Sequence, residues 1–499
     1  YCSMKTTLFK FLSSSSILRF APTQFYSRPS NLNPFKPLRS TNQRYSRSVI
    51  HFDSKMTTDS VLKEPSETCG HVFVLNCAAK GIAADAIFVH NGEVTDNPSC
   101  VASEKKNDKI QLYEAGSPAN PDHLTPLFNS FLEQSAEQFQ GERSSFRRGL
   151  PPLIAFDPTS FFGSEIDEST KMELLRHLVS KTYSIVDSFG VDLAVCVPDE
   201  ESFVSVNSLR NEMCPFKGGP FWMLSDSQKA NAQKLAGDAK VSRLSVFVGA
   251  GISMASGAPS WGALLELLAK KAGMSEDDRK SLSRLGYLDQ PTVIAEDMGD
   301  QFKGAIAEII NESGRYTPAH VILKSLKAPA VTTNYDDLYE KAAESCNQSV
   351  PTLPWDARQM IDNARKEHNA LLKLHGCVKH PESIILSRQD YMRYPDNCQA
   401  LRGRLHGIFL TSEVLFCGFS MTDDNVHKII DDARKVLYVD GKPTEHKLGT
   451  ILSMTENKMF NRLWDQDFDL QSFGKSWSQN PSPAWNHDCF LDAIVADFI

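Results

Sequence analysis

The chain has 499 residues, is 41% hydrophobic and carries a formal charge of −8 at pH 7. That length predicts two to three domains, and the apolar fraction excludes a disordered chain. The acidic balance excludes a general nucleic-acid binder, and the absence of about 18 uninterrupted apolar residues excludes a membrane-spanning helix. The 11 cysteines include no C-x-x-C pair, which excludes zinc ribbons and thioredoxin-type redox motifs. Their odd number and scatter read as reduced thiols.

The charge is unevenly placed. Residues 1–55 carry nine Lys or Arg against a single acidic residue, Asp53, with a serine run from Ser13 to Ser16. An Arg- and Ser-rich, acid-poor start predicts an organelle transit segment, so residues 1–69 read as a basic, Ser-rich transit segment and linker. The expected destination is a mitochondrion or plastid. The chain begins at Tyr1, and both Met4 and Met56 are candidate starts. Translation from Met56 would remove the signal and predict a cytoplasmic protein.

Residues 70–215 predict a smaller α/β domain. The apolar runs Val72–Leu75, Ala86–Val89, Leu153–Phe156 and Val191–Val197 read as buried strands. Pro126–Phe139 and Glu168–Val186 have helical apolar spacing, while the polar stretch 92–122 reads as loop. Strands alternating with helices imply a largely parallel sheet. Asp199, Glu200 and Glu201 read as a solvated acidic turn, residues 203–225 as an interdomain connection, and Ser225 as the cap of a helix reaching about Lys240. Over five residues, Asp85–Val89 is similar to a strand of macrodomains, which bind ADP-ribose; the match covers one strand and assigns the domain no role.

From about residue 230 the sequence says more. Leu244–Val248 is a buried-type strand that runs into Gly249-Ala250-Gly251-Ile252-Ser253, then Ser256-Gly257-Ala258-Pro259-Ser260-Trp261, then a helix from Gly262 to Lys271. Strand, glycine-rich turn and helix is the geometry of a phosphate cradle, although a lone Gly-x-Gly is often only a tight turn. Residues 264–328, with Leu282, Leu285 and Ile306, read as a helical module. Val331-Thr332-Thr333-Asn334-Tyr335-Asp336 reads as a strand ending in a polar cluster, or as an Asn-x-Asp turn with local hydrogen bonds. Leu371–Leu374 leads into His375-Gly376, where a histidine at a strand end is catalytic or simply structural. Val414–Cys417 leads into Gly418-Phe419-Ser420, a turn suited to a ribose, with Thr422 or Asp423 as helix cap. His446–Leu452, Lys458–Trp464 and Phe490–Phe498 read as a strand and two helices, with Trp477 and Trp485 as packing residues of a loop.

These four elements, in this order and roughly at this spacing, resemble the sirtuin superfamily over about residues 230–499. Gly249–Ser253 with Ser256, Gly257 and Pro259 looks like the family's NAD-cradling loop. Thr333–Asp336 is similar to its Gln-Asn-x-Asp motif, His375-Gly376 to its catalytic His-Gly, and Gly418-Phe419-Ser420 to its ribose turn. There are departures. Deacylating members end the first motif with Asp-Phe-Arg, where this chain has Ser260, Trp261 and Gly262. The family glutamine is Thr333, and only Cys377 and Cys398 lie where the structural zinc module would need two C-x-x-C pairs. These features resemble the zinc-free sirtuin-like branch, whose characterised members are largely NAD-hydrolysing enzymes.

The resemblance implies a Rossmann-like parallel-sheet NAD-binding domain with a helical insertion, preceded by the smaller α/β domain. It implies NAD as substrate and no metal. Gly249, Ala250, Gly251, Ile252, Ser253, Ser256, Gly257, Pro259, Trp261, Thr333, Gly418 and Ser420 would hold the dinucleotide, with the diphosphate on the amides of Ala250, Gly251 and Ile252. Asn334 would orient the ribose or a water, Asp336 would stabilise the positive charge developing at the ribose, and His375 would act as base. Water as acceptor makes an NAD glycohydrolase, an acyl-lysine protein makes a deacylase, and a protein side chain makes an ADP-ribosyltransferase. A non-catalytic NAD or ADP-ribose sensor is the reading from another class. The resemblance also implies homo-oligomers held inactive until triggered; neither a nucleic acid nor a membrane is an expected partner.

Overall fold

The computed structural model describes residues 62–499 apart from 97, 103–109, 148, 164–165, 313, 364–368, 439–445 and 475–481. The expected transit segment and Trp477 lie outside the described residues. Residues 60–499 cluster as one unit. Among the described residues, two sheets carry the fold.

The first sheet is built from β1 (Val72–Leu75), β2 (Ala86–Thr95), β3 (Val101–Ala102), β4 (Gln111–Pro118), β5 (Leu153–Phe156) and β6 (Asp192–Cys196), in the order β1-β6-β5-β2-β4-β3. Every pair is parallel except β3 with β4. The short, wholly apolar runs of β1 and β5 are buried along their length, as a sheet covered on both faces requires.

Three expectations are corrected here. The stretch expected as loop contains β3 and β4, because Gln111–Gly116 buries Tyr113 and Ala115 beside β2 despite its polar approach. Residues 199–213 are neither a solvated turn nor a connection. Asp199 accepts the amides of Glu201 (3.2 Å) and Ser202 (2.8 Å) and caps a helix, Glu200–Met213. That helix buries Phe203, Val206 and Leu209 at helical spacing. Asp85, in the macrodomain-like pentapeptide, is a buried structural pin: its carboxylate accepts the amides of Ser145 (2.7 Å) and Leu153 (3.0 Å).

The second sheet comprises β7 (Leu244–Val248), β8 (Ala330–Thr332), β9 (Thr352–Leu353), β10 (Leu371–Lys373), β11 (Glu413–Cys417), β12 (Gly449–Ser453) and β13 (Phe468–Ser472). Its order is β13-β12-β11-β7-β8-β10-β9, and every pair is parallel. This is the expected α/β, Rossmann-like architecture. The order reverses at β7, which lies between β8 and β11. Open parallel sheets bind ligands at the C-terminal ends of strands beside such a switch point. The turns ending β7, β8, β10 and β11 are the four motifs singled out above, so the topology gathers them along one edge.

The helices Trp261–Lys271, Glu276–Leu282, Gln290–Met298 and Phe302–Asn311 form the insertion. Their apolar faces (Leu264, Leu268, Ile294, Phe302, Ile306) share a core with Tyr335 and Cys377, from the turns after β8 and β10. The module therefore roofs the sheet edge. Leu285, expected inside it, is 46% exposed.

The C-terminal helix begins at Pro483, earlier than its apolar run announces, with proline at its first turn. Trp485 is therefore on a helix, where its indole Nε1 donates to Asp192 at 3.0 Å. The same helix packs with Asp226–Lys240 and Pro318–Ser325 in the core that extends under both sheets. Among the described residues, no helix is long and apolar enough to cross a membrane.

Candidate active site

The turn after β7 is shaped by its neighbour. Gly249 donates its amide to the Cys417 carbonyl (2.9 Å), and Gly251 donates to the Gly418 carbonyl (2.9 Å). A Cβ on Gly249 would lie 2.5 Å from the Gly418 oxygen, and one on Gly251 would lie 2.9 Å from it. Gly418 itself has φ +62° and backs onto the Ile252 amide. Here the glycines are needed for two backbone turns to touch, which differs from the expected open cradle. The amide of Ile252 is also engaged, with Gly249 O at 3.1 Å. Of the three amides assigned to the diphosphate, those of Gly251 and Ile252 are therefore bonded within the fold. Gly249→Ala should lower stability by about 3 kcal/mol through backbone overpacking, read as a shift in the denaturant midpoint.

Ala250 opens a short helix, Ala250–Met254, and Gly257 (φ +92°) ends the turn that follows it. Ser256 donates its hydroxyl to the Ser253 carbonyl at 2.6 Å. Beyond Pro259, Trp261 heads the next helix with its indole packed on the roof; its Nε1 is buried with no hydrogen-bond partner. On the β11 side, Ser420 is exposed and shares a 2.7 Å hydrogen bond with Thr422.

After β8 the backbone carries a tight polar cluster. Thr332 donates to the Val248 carbonyl (2.8 Å) and accepts the Asn334 amide (3.0 Å), which fixes the turn through Thr333. Both amide protons of Asn334 are used, toward the Gly249 carbonyl (3.2 Å) and the Ser253 hydroxyl (3.1 Å). Its Oδ1 is buried without a partner. Asp336 accepts the Ser253 hydroxyl on Oδ2 (2.8 Å) and the Leu338 amide on Oδ1 (3.2 Å), so its carboxylate is held at both oxygens.

The β10 turn lies alongside: Leu374 donates to the Thr332 carbonyl and Val378 to the Tyr335 carbonyl, each at 2.9 Å. His375 is 2% exposed, its ring edge-on to Tyr391 (5.3 Å) and Tyr394 (5.7 Å). Its Nε2 lies 3.5 Å from Asp423 Oδ2 and makes no hydrogen bond. Asp423 also accepts the Tyr391 hydroxyl (2.8 Å) and caps the helix Asp424–Leu437 through the Val426 amide. Burial pushes the His375 pKa down, with Asp423 opposing, so the ring is neutral near pH 7.

The structure brings Asn334, Asp336, Ser253 and Gly249 into one bonded cluster, with Gly251 tied to the Gly418 turn beside it and His375 on the adjoining turn. Sequence reasoning missed two partners. Lys373, 1% exposed, donates to the Asp336 carbonyl (2.5 Å) and pairs with Glu340 (2.9 Å). A lysine inside an apolar strand was the available signal. His320, on the helix Pro318–Ser325, reaches Ser253 at 3.3 Å. Burial lowers its pKa to about 4, against the pull of Asp336. The unfolded ring protonates near pH 6.5, so below that pH the unfolded state binds the extra proton. Stability should fall as pH drops from about 6.5 to about 4, by on the order of 3 kcal/mol from this ring. Denaturant melts should lose that part of their pH dependence in His320→Gln.

The structure thus gathers, along one edge of a parallel sheet with a switch point, a glycine turn on each side of it, an Asn-x-Asp turn and a His-Gly turn. Residues 329–468 match the model of the SIR2-like domain family. The chain is 33% identical over 194 residues to NAD(+) hydrolase ThsA of Bacillus cereus (strain MSX-D12), covering 38% of this chain and 39% of the relative. To NAD(+) hydrolase ThsA of Enterococcus faecium it is 31% identical over 212 residues, 40% of this chain and 41% of the relative. Defense-associated sirtuin 2 of Bacillus subtilis is 25% identical over 228 residues, 43% of this chain and 22% of the relative. The chain thus spans about two fifths of the length of the hydrolases it matches, and its likeness is to the NAD-hydrolase-type branch.

Proposed function

We propose that the protein hydrolyses NAD to nicotinamide and ADP-ribose. The observation that carries this reading is a pair of buried, unpartnered polar atoms, Asn334 Oδ1 and His375 Nε2, on adjoining turns beside the anchored Asp336 carboxylate. Native proteins rarely leave such atoms unsatisfied, and those that persist at a strand edge mark where a ligand's donors belong.

In this mechanism the ribose C1′–N bond breaks and its electron pair leaves with nicotinamide. Asp336 stabilises the positive charge that develops at C1′. The Asn334 carbonyl oxygen accepts a hydrogen bond from a ribose hydroxyl or from the attacking water. The neutral His375 Nε2 takes the water's proton as the C1′–O bond forms, leaving ADP-ribose. The dinucleotide would be held by Gly249, Ala250, Gly251, Ile252, Ser253, Ser256, Gly257, Pro259, Trp261, Thr333, Gly418 and Ser420. Because both amides are bonded within the fold, a diphosphate would reach the Gly251 amide only with a shift of the Gly418 turn, and the Ile252 amide only by displacing its bond to the Gly249 carbonyl. Tyr391 would likewise have to part from Asp423 for water to meet His375.

The reading is tested by incubating the full chain with NAD, with and without an acetyl-lysine peptide, and resolving the products by chromatography. Equimolar nicotinamide and ADP-ribose without peptide is the expected result. Nicotinamide released only with peptide would make the protein a deacylase, ADP-ribose attached to a protein a transferase, and NAD bound without turnover a sensor. Import into a mitochondrion or plastid, carried by the composition of residues 1–55, is checked by locating a fluorescent fusion of the full chain.

A further inference from the structure

We infer that His320 is a positioning residue for this reaction: its Nε2–H, given to Ser253, directs the single Ser253 proton onto Asp336 and leaves a Ser253 lone pair for the Asn334 amide. The inference rests on the hydrolase reading above and deepens it.

The argument is an inventory of protons. The Thr317 amide donates to His320 Nδ1 at 3.2 Å, and an amide can only donate. Nδ1 is therefore an acceptor, and the Thr317 hydroxyl, 2.8 Å away with the Ile252 carbonyl at 3.4 Å as its longer alternative, can donate to it as well. A neutral ring with a bare Nδ1 carries its proton on Nε2. That proton points at Ser253 Oγ, 3.3 Å away. The buried ring (1% exposed) also has its pKa lowered by burial, in keeping with the neutral form.

The rest of the network follows from Ser253. Its oxygen accepts from His320 and from Asn334 Nδ2 (3.1 Å), which fills both lone pairs. Its one proton is left for Asp336 Oδ2 at 2.8 Å. With the opposite His320 tautomer, the Ser253 proton would turn to the bare Nε2. A hydroxyl lone pair would then face the carboxylate. The Asn334 amide cannot flip in compensation, because its oxygen would then meet the Gly249 carbonyl now 3.2 Å from Nδ2. Thr317 thus sets the tautomer of His320, His320 sets the rotor of Ser253, and Ser253 gives its proton to Asp336 while its lone pair joins the Gly249 carbonyl in holding Asn334. None of His320's atoms touches the reacting centre.

Two measurements test this on the full chain. The first records ring-nitrogen NMR at pH 7 on protein labelled with 15N-histidine, with the His320 signals identified by their loss in His320→Gln. The neutral Nε2–H tautomer is expected; an Nδ1–H tautomer or a charged ring overturns the inference. The second compares His320→Leu with His320→Gln, whose amide nitrogen can reach where Nε2–H lies, after checking that both variants fold. The leucine variant should lose about 10- to 100-fold in kcat with little change in KM, and the glutamine variant should recover most of it. A folded leucine variant with wild-type kcat, or a folded glutamine variant as slow as the leucine one, overturns it. If the wild type releases no nicotinamide, the hydrolase reading falls, while the ring spectrum still decides the proton order around Ser253.

Discussion

In His375→Ala, nicotinamide release from NAD should fall by about 100- to 10,000-fold, the usual contribution of a positioned general base. The loss should appear in kcat rather than KM, because the proposed mechanism puts Nε2 against the attacking water and leaves the dinucleotide to the other turns. The fold should survive: Asp423 keeps the Tyr391 hydroxyl and its cap on the Asp424–Leu437 helix, and the lost ring makes no hydrogen bond, lying edge-on to two tyrosines and 3.5 Å from Asp423. A companion variant fixes the sign of the pH dependence. Burial lowers the His375 pKa and the Asp423 carboxylate partly restores it. The acid limb of kcat/KM should therefore lie below pH 6.5, and Asp423→Asn should move it lower still. A His375→Ala protein that retains wild-type turnover would place the base elsewhere.

The largest stability effect is expected at Asp492. This carboxylate, 1% exposed, accepts Arg210 Nη1 at 2.6 Å and His71 Nε2 at 2.7 Å, tying the C-terminal helix to β1 and to the Glu200–Met213 helix. Arg210 has no exposed surface, and its Nε and Nη2 have no other hydrogen-bond partner. Asp492→Ala would leave that guanidinium buried without a counter-charge. Breaking one side of a buried pair costs about 3–5 kcal/mol, which lowers Tm by roughly 3–6 °C in a unit of this size. Replacing the three groups together, as Asp492→Leu with Arg210→Met and His71→Leu, should recover most of the loss, because the desolvation of the charges disappears with them. A single variant that melts with the wild type would show that water reaches Arg210 on its own. The neighbouring pair, Arg147 with Asp192 at 2.6 Å and Trp485 beside it, is built on the same plan and should respond alike.

Local composition made much of this fold legible. Runs such as Val72–Leu75, Leu153–Phe156 and Leu244–Val248 are apolar at every position or nearly so, and a parallel strand covered on both faces needs that pattern. The candidate site was legible because each motif directly follows such a run, and parallel strands present their ends on one edge. The elements missed depend on distant partners. β9 has two residues and exists as the edge of β10, and β4 is recognisable only beside β2. The helix Glu200–Met213 hid behind an acidic start that turned out to be its cap. His71 and Asp492 are 421 residues apart, so nothing local couples them. Gly249 and Gly251 were recognised as special, but their closest neighbour is the Gly418 turn of another strand. His320 is one polar residue on a largely apolar helix, and its part emerges only when the protons around Ser253 are counted.

The most direct test uses Asn334→Ala, measuring NAD binding by titration and nicotinamide release on the same sample beside wild type. Alanine also removes the amide nitrogen that bonds the Gly249 carbonyl and the Ser253 hydroxyl, so the variant is first checked for folding; the other turns remain, and a folded variant should still bind the dinucleotide to within about tenfold. Release should fall by at least about 100-fold, since the proposed mechanism gives the lost Asn334 oxygen the contact with the ribose or the water. Release at the wild-type rate from a folded Asn334→Ala protein would contradict the assignment of this strand edge as the reacting centre.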